Sequence, residues 1–134
     1  MQRPWTAALT LILLLSGVLT YVNAAPEQKT ADKELLRHVV LFKFKDGTTP
    51  AQVTEVIDAF RNLKTKISEI KDFEYGTDNS PEMKAAGFTH CFFLTFADAK
   101  GRDAYLPHPA HKEFGALVGP RLDKVLVVDY FIHK

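Results

Sequence analysis

Three stretches of this chain, RHVVLFKFK (residues 37–45), FTHCFFLTF (88–96) and VLVVDYFI (125–132), read as strands that are apolar on both faces. A strand sends successive side chains to opposite sides. In the first, His38, Val40, Phe42 and Phe44 share one side, while Val39 and Leu41 lie with Lys43 and Lys45 on the other. In the second, Phe88, His90, Phe92, Leu94 and Phe96 alternate with Thr89, Cys91, Phe93 and Thr95. Such strands need cover on both sides. The intervening sequence supplies helices for one side only. After the turn DGTTP, Thr49 caps a helix with Pro50 at its first position. Val53, Val56, Ile57, Phe60, Leu63, Ile67 and Ile70 then recur at helical spacing, with charged residues opposite. A short strand follows over Asp72–Thr77, and a polar loop leads to the second apolar stretch. Asp98 caps a short helix through Tyr105, and a second short helix runs from Pro109 to about Leu117, ending before Gly119-Pro120. The order β-α-β-β-α-β predicts an α+β domain of ferredoxin-like type with a four-stranded antiparallel sheet. Its helices cover one face, so a second copy packed sheet to sheet is the simplest cover for the other.

The first residues stand apart from this pattern. Met1, Gln2 and Arg3 form a short basic start, Ala7–Leu19 is nearly all apolar, and Val22-Asn23-Ala24 precedes Ala25-Pro26. This is the pattern of a signal peptide cleaved after Ala24. The run falls short of the roughly 20 residues that a spanning helix needs, so the flanks favour cleavage over a retained anchor. The expected organisation is a leader over residues 1–24, a polar tether over 25–34 and one domain over 35–134. The product is expected to be exported, periplasmic or secreted, with no membrane association after cleavage. Cys91 is the single cysteine, so no internal disulfide is available and stability rests on the core and on a partner copy. The net charge is +1 with both signs scattered. No basic stripe marks a nucleic-acid partner.

One segment concentrates titratable chemistry: AYLPHPAHKEF, Ala104–Phe114. Pro107 stops the preceding helix at Leu106, and Pro109 suits the first position of the next. His108 then falls at the N-cap and His111 at the third helical position, with Tyr105 just before the kink. His38 and His90 share a strand face with Phe42, Phe44, Phe92 and Phe96. If that face meets the helices, four histidines and one tyrosine converge on an aromatic-lined cavity. A neutral imidazole accepts a proton and a tyrosine hydroxyl donates to a developing oxyanion, so general acid–base chemistry is one reading. The other is local satisfaction, with His108 capping helix amides and the remaining histidines bonded to nearby groups. His108 and His111 lack a carboxylate or cysteine at ligand spacing, so no metal or other cofactor is expected. Cys91 reads as a buried small hydrophobe. Asp129 interrupts an apolar strand and needs a partner, with Arg37, Arg102 and Arg121 as candidates.

RHVVLFKFKDG, GFTHCFFLTFAD, AYLPHPAHKEF and VLVVDYF together, in this order, resemble the Dabb family of stress-response A/B barrel domains. The resemblance implies a ferredoxin-like protomer whose sheet pairs with its twin, a dimeric α+β barrel. In the polyketide cyclase member of the family, the positions matching Tyr105 and His111 are the catalytic pair, and those matching His38 and His90 lie in its pocket. The family also holds plant stress and defence proteins, and a shared fold does not transfer a reaction. The leading expectation is a homodimer that binds a small apolar or aromatic molecule, with His38, Phe42, His90, Phe92 and His108 lining the site. A cyclase or lyase using Tyr105 and His111 is the alternative, and a purely structural stress-response dimer is the third.

Overall fold

The computed structural model describes residues 34–133. The expected leader and nearly all of the expected tether lie outside the described residues. Four strands, β1 (Leu36–Phe44), β2 (Ile70–Thr77), β3 (His90–Phe96) and β4 (Leu122–Phe131), form one antiparallel sheet in the order β2-β3-β1-β4. Helices α1 (Pro50–Lys66), α2 (Ala99–Tyr105) and α3 (Pro109–Val118) lie on one side of it. A 3₁₀ turn, Gly119–Arg121, feeds the chain into β4.

Local chemistry sets these boundaries. Thr49 and Gln52 form a reciprocal capping box at the start of α1: Gln52 N–H donates to Thr49 Oγ1 at 3.3 Å, and Thr49 N–H donates to Gln52 Oε1 at 2.9 Å. Ahead of it Gly47 turns the chain with φ of 84°, a conformation open to glycine without steric cost. The helical spacing of Ile67 and Ile70 continues past the helix itself. Ile67 is the C-cap, and Ile70 opens β2, two residues earlier than the sequence pattern puts the strand. Both still reach the core, because it collects apolar side chains whatever element carries them. At β3 the strand starts at His90 rather than Phe88.

The core lies between the helices and the inner face of the sheet. Phe60 of α1 stacks on Phe114 of α3 with ring centroids 4.4 Å apart, and Phe92 of β3 meets Phe60 at 4.8 Å and Phe42 of β1 at 5.0 Å. Burying each phenylalanine contributes about 2 kcal/mol. Among the described residues no helix lies over the outer face. Val39 and Leu41 of β1, Phe93 of β3 and Leu126, Val128 and Tyr130 of β4 lie there. Every residue of Val125–Phe131 except Asp129 is a large apolar side chain, 39–55% exposed. On that face Arg37 donates from Nη1 to the buried Thr95 hydroxyl.

Candidate functional site

The kink between α2 and α3 places the site. Asp98 caps α2 by accepting from Gly101 N–H at 2.9 Å, and the helix ends at Tyr105, one residue before the Leu106-Pro107 step. His108 caps α3: its Nδ1 accepts from Ala110 N–H at 3.1 Å. With Pro109 behind it, the first turn of α3 then carries His111 back over Tyr105, the two rings 4.2 Å apart. His111 donates from Nδ1 to the Leu106 carbonyl at 2.9 Å. In the neutral ring this leaves Nε2 with its lone pair. Tyr105 is 0% exposed, and its hydroxyl is a buried side-chain polar atom with no hydrogen-bond partner among the described residues.

His38 of β1 forms the floor beneath Tyr105, with ring centroids 5.6 Å apart and edge-to-face geometry. Its Nδ1 meets Asp129 Oδ1 across the β1–β4 ladder at 2.6 Å, where the register sets the two residues opposite each other. Asp129 Oδ2 in turn accepts from Arg102 Nη1 at 2.8 Å. Burial pushes His38 below the usual imidazole range, and the Asp129 charge opposes this without reversing it. For Asp129, burial works toward the neutral acid, but the hydrogen bonds from Arg102 and His38 hold its carboxyl below the usual range. Burial and the nearby Asp129 charge push the Tyr105 hydroxyl well above the usual phenol range, so it stays protonated and is a donor at neutral pH.

His38, Tyr105 and His111 line one end of a cavity of about 350 Å³ between the sheet and the kink, with Asp129 and Arg102 behind His38. The rest of its wall is apolar, with Phe42, Phe60, Phe114, Val118, Leu122, Val125 and Val127 prominent, and none of its lining residues is a lysine, arginine or carboxylate.

The structure brings together His38, Tyr105, His111 and Phe42 of the residues singled out from the sequence. It does not bring four histidines to one point. His90 shares the strand face of His38 but sits at the far end of β3, edge-on to Phe44 at 5.2 Å. It lines a separate hollow of about 270 Å³ with Thr77, Asp78, Phe88 and Cys91. The strand period fixes a face but not a position along it, and four residue steps on β1 separate Phe42, the partner of His90, from His38. His108 is turned to its capping role and is absent from the cavity wall. Phe92 lies under Phe42 and Phe60 as core. Asp129 belongs to the site although the sequence marked it only as a buried charge in need of a partner. Arg102 is that partner among the three arginines, and His38 is a second. Among the described residues no group of three or more His, Cys, Asp or Glu side chains is placed to hold a metal ion.

Comparison with known proteins bears on this geometry. The stress-response A/B barrel domain-containing protein HS1 of Arabidopsis thaliana is 42% identical over 95 residues, 71% of this chain and 87% of that protein. Olivetolic acid cyclase of Cannabis sativa is 35% identical over 99 residues, 74% of this chain and 98% of that protein. Among solved structures, the hydroxynitrile lyase of Passiflora edulis superposes with a TM-score of 0.72 at 29% identity, covering 76% of this chain and 96% of that one. A dimeric ferredoxin-like protein of unknown function from Thermobifida fusca superposes with a TM-score of 0.64 at 29% identity, covering 74% and 92%. Residues 36–132 match the stress responsive A/B barrel domain, Dabb. With that match spanning the whole sheet and every helix, the chain belongs to the Dabb family.

Proposed function

We propose that this protein binds a small, largely apolar or aromatic molecule carrying a hydrogen-bond acceptor, and that it does so in the cavity between the sheet and the α2–α3 kink. The carrying observation is the Tyr105 hydroxyl, buried at the cavity's polar end and without a hydrogen-bond partner among the described residues. Leaving a buried hydroxyl unpaired costs about 1–3 kcal/mol. A ligand carbonyl or oxyanion that accepts from it relieves that cost.

The second reading adds proton transfer, and the contact between Tyr105 and His111 favours it. With Nδ1 committed to the Leu106 carbonyl, His111 presents Nε2 as a base while Tyr105 stabilises charge developing on oxygen. The relatives named as a cyclase and a lyase agree with a reaction of this type. Replacing Tyr105 with Phe separates function from fold. The Tyr105→Phe protein should lose binding of aromatic carbonyl compounds in a thermal-shift screen, yet match or exceed the wild type in urea unfolding, by about 1 kcal/mol. His111→Ala should keep binding and lose turnover. A Tyr105→Phe variant that unfolds much more easily than wild type would instead assign the pair a structural role.

The same proposal takes the active form as an exported homodimer. The uncovered outer face and the dimeric relative support the dimer, and the Met1–Ala24 pattern supports export. Terminal sequencing of the protein made by its own cell should then begin at Ala25; a start at Met1 would remove export by cleavage.

A further inference from the structure

We propose that Arg102 is a positioning residue for this site: by holding Asp129 it fixes His38 as the neutral tautomer protonated on Nδ1, with Nε2 left as an acceptor. The inference rests on the acid–base reading above.

The geometry is a chain of contacts across three elements. His38 stands on β1, Asp129 on β4 and Arg102 on α2. Asp129 uses both oxygens, Oδ1 toward His38 at 2.6 Å and Oδ2 toward Arg102 at 2.8 Å. The guanidinium is itself held from behind, with Nε and Nη2 each 2.9 Å from Asp103 Oδ1. A carboxylate gripped at both oxygens does not rotate away, so the donor that faces it stays an N–H. That donor is Nδ1 of His38. Arg102 also lies three residues before Tyr105 on α2 and therefore on the same side of that helix. Its grip on β4 pins the segment carrying Tyr105 over the strand carrying His38.

Charge explains why an arginine serves better than a neutral anchor. The titratable groups around His38 are Asp129 from β4, Arg102 and Tyr105 from α2 and His111 from α3. Asp129 alone would favour the imidazolium, which has no lone pair to offer. Arg102 balances that carboxylate without depending on pH, because a guanidinium does not release its proton. Burial acts in the same direction on His38. The result is a neutral His38 beside the Tyr105 ring whose Nδ1, like that of His111, is committed to an oxygen acceptor.

Two-bond ¹H–¹⁵N correlation spectra of the intact, ligand-free protein report the tautomer and titration of each histidine directly. At neutral pH His38 should be protonated on Nδ1. In Arg102→Met its titration should move to higher pH, and Arg102→Lys should return it part of the way. Where turnover is measurable, the acid limb of the pH profile should move with it while KM stays near wild type. His38 found as the Nε2-protonated tautomer, or as imidazolium at pH 7, overturns the proposal on the wild-type protein alone, so a variant that fails to fold does not protect it. An unmoved His38 titration in folded Arg102→Met overturns it as well. The spectra need no substrate, so they stand even if Tyr105→Phe and His111→Ala show that no reaction occurs here.

Discussion

His38 is buried as a neutral ring, and this ties the stability of the fold to pH. Its folded pKa lies below the unfolded value of 6.5. The stabilisation is therefore complete above pH 6.5 and is lost as pH falls through the folded value, because the unfolded chain takes up the proton first. Asp129 adds a second and more acidic window. Its folded pKa is also depressed, so its contribution is present above 3.8 and lost as pH falls through the lowered value. Thermal unfolding of the wild type should weaken in two steps below pH 6.5. His38→Asn should be less stable at pH 8 but flatter across the first step, and an identical slope in both proteins would place the titration elsewhere. Tyr105 and His111 are legible as a pair in the sequence because the two prolines fix the local chain around them. The His38–Asp129 contact is not legible, since 91 positions separate the residues and only the strand register brings them together. An isolated charge in an apolar strand shows that a partner exists without saying which one.

The kink between α2 and α3 depends on a cap that the sequence does reveal. His108 serves α3 through a ring nitrogen where Ser, Thr, Asn and Asp are the usual choices. His108→Ala should cost about 1 kcal/mol in urea unfolding and loosen the first turn that holds His111 against Tyr105. An unchanged unfolding midpoint would mean that Pro109 alone fixes the start. Other element boundaries follow from the same local chemistry. Caps and prolines define the starts of all three helices, and the strand pattern defines β1 and β3 to within two residues. Periodicity misplaces the end of α1, where Ile67 and Ile70 keep a helical spacing after the helix has stopped. It also sends His90 to the correct face but the wrong end of the sheet. Spacing along one segment carries no measure of how far that segment slides against its neighbours.

For the molecule as a whole, the outer sheet face is the surface that a lone protomer leaves unfinished. Apolar patches of this kind mark association sites. Val128→Asp, placed opposite Val39 at the middle of that face, should turn a dimer into a monomer in light scattering at micromolar concentration. A wild type that already runs as a monomer would refute the dimer outright. β4 has a further property as the edge of its sheet, paired among the described residues with β1 alone. Seven residues, Val125–Phe131, are apolar apart from Asp129, lie on an open edge and contain no proline or glycine. That composition is the one from which cross-β fibrils grow. Asp129 is the only charge that interrupts it, so the carboxylate that aligns His38 also keeps this strand from templating its own kind. Selection on either role would preserve the other, and acid strong enough to neutralise Asp129 would release both the imidazole and the strand at once.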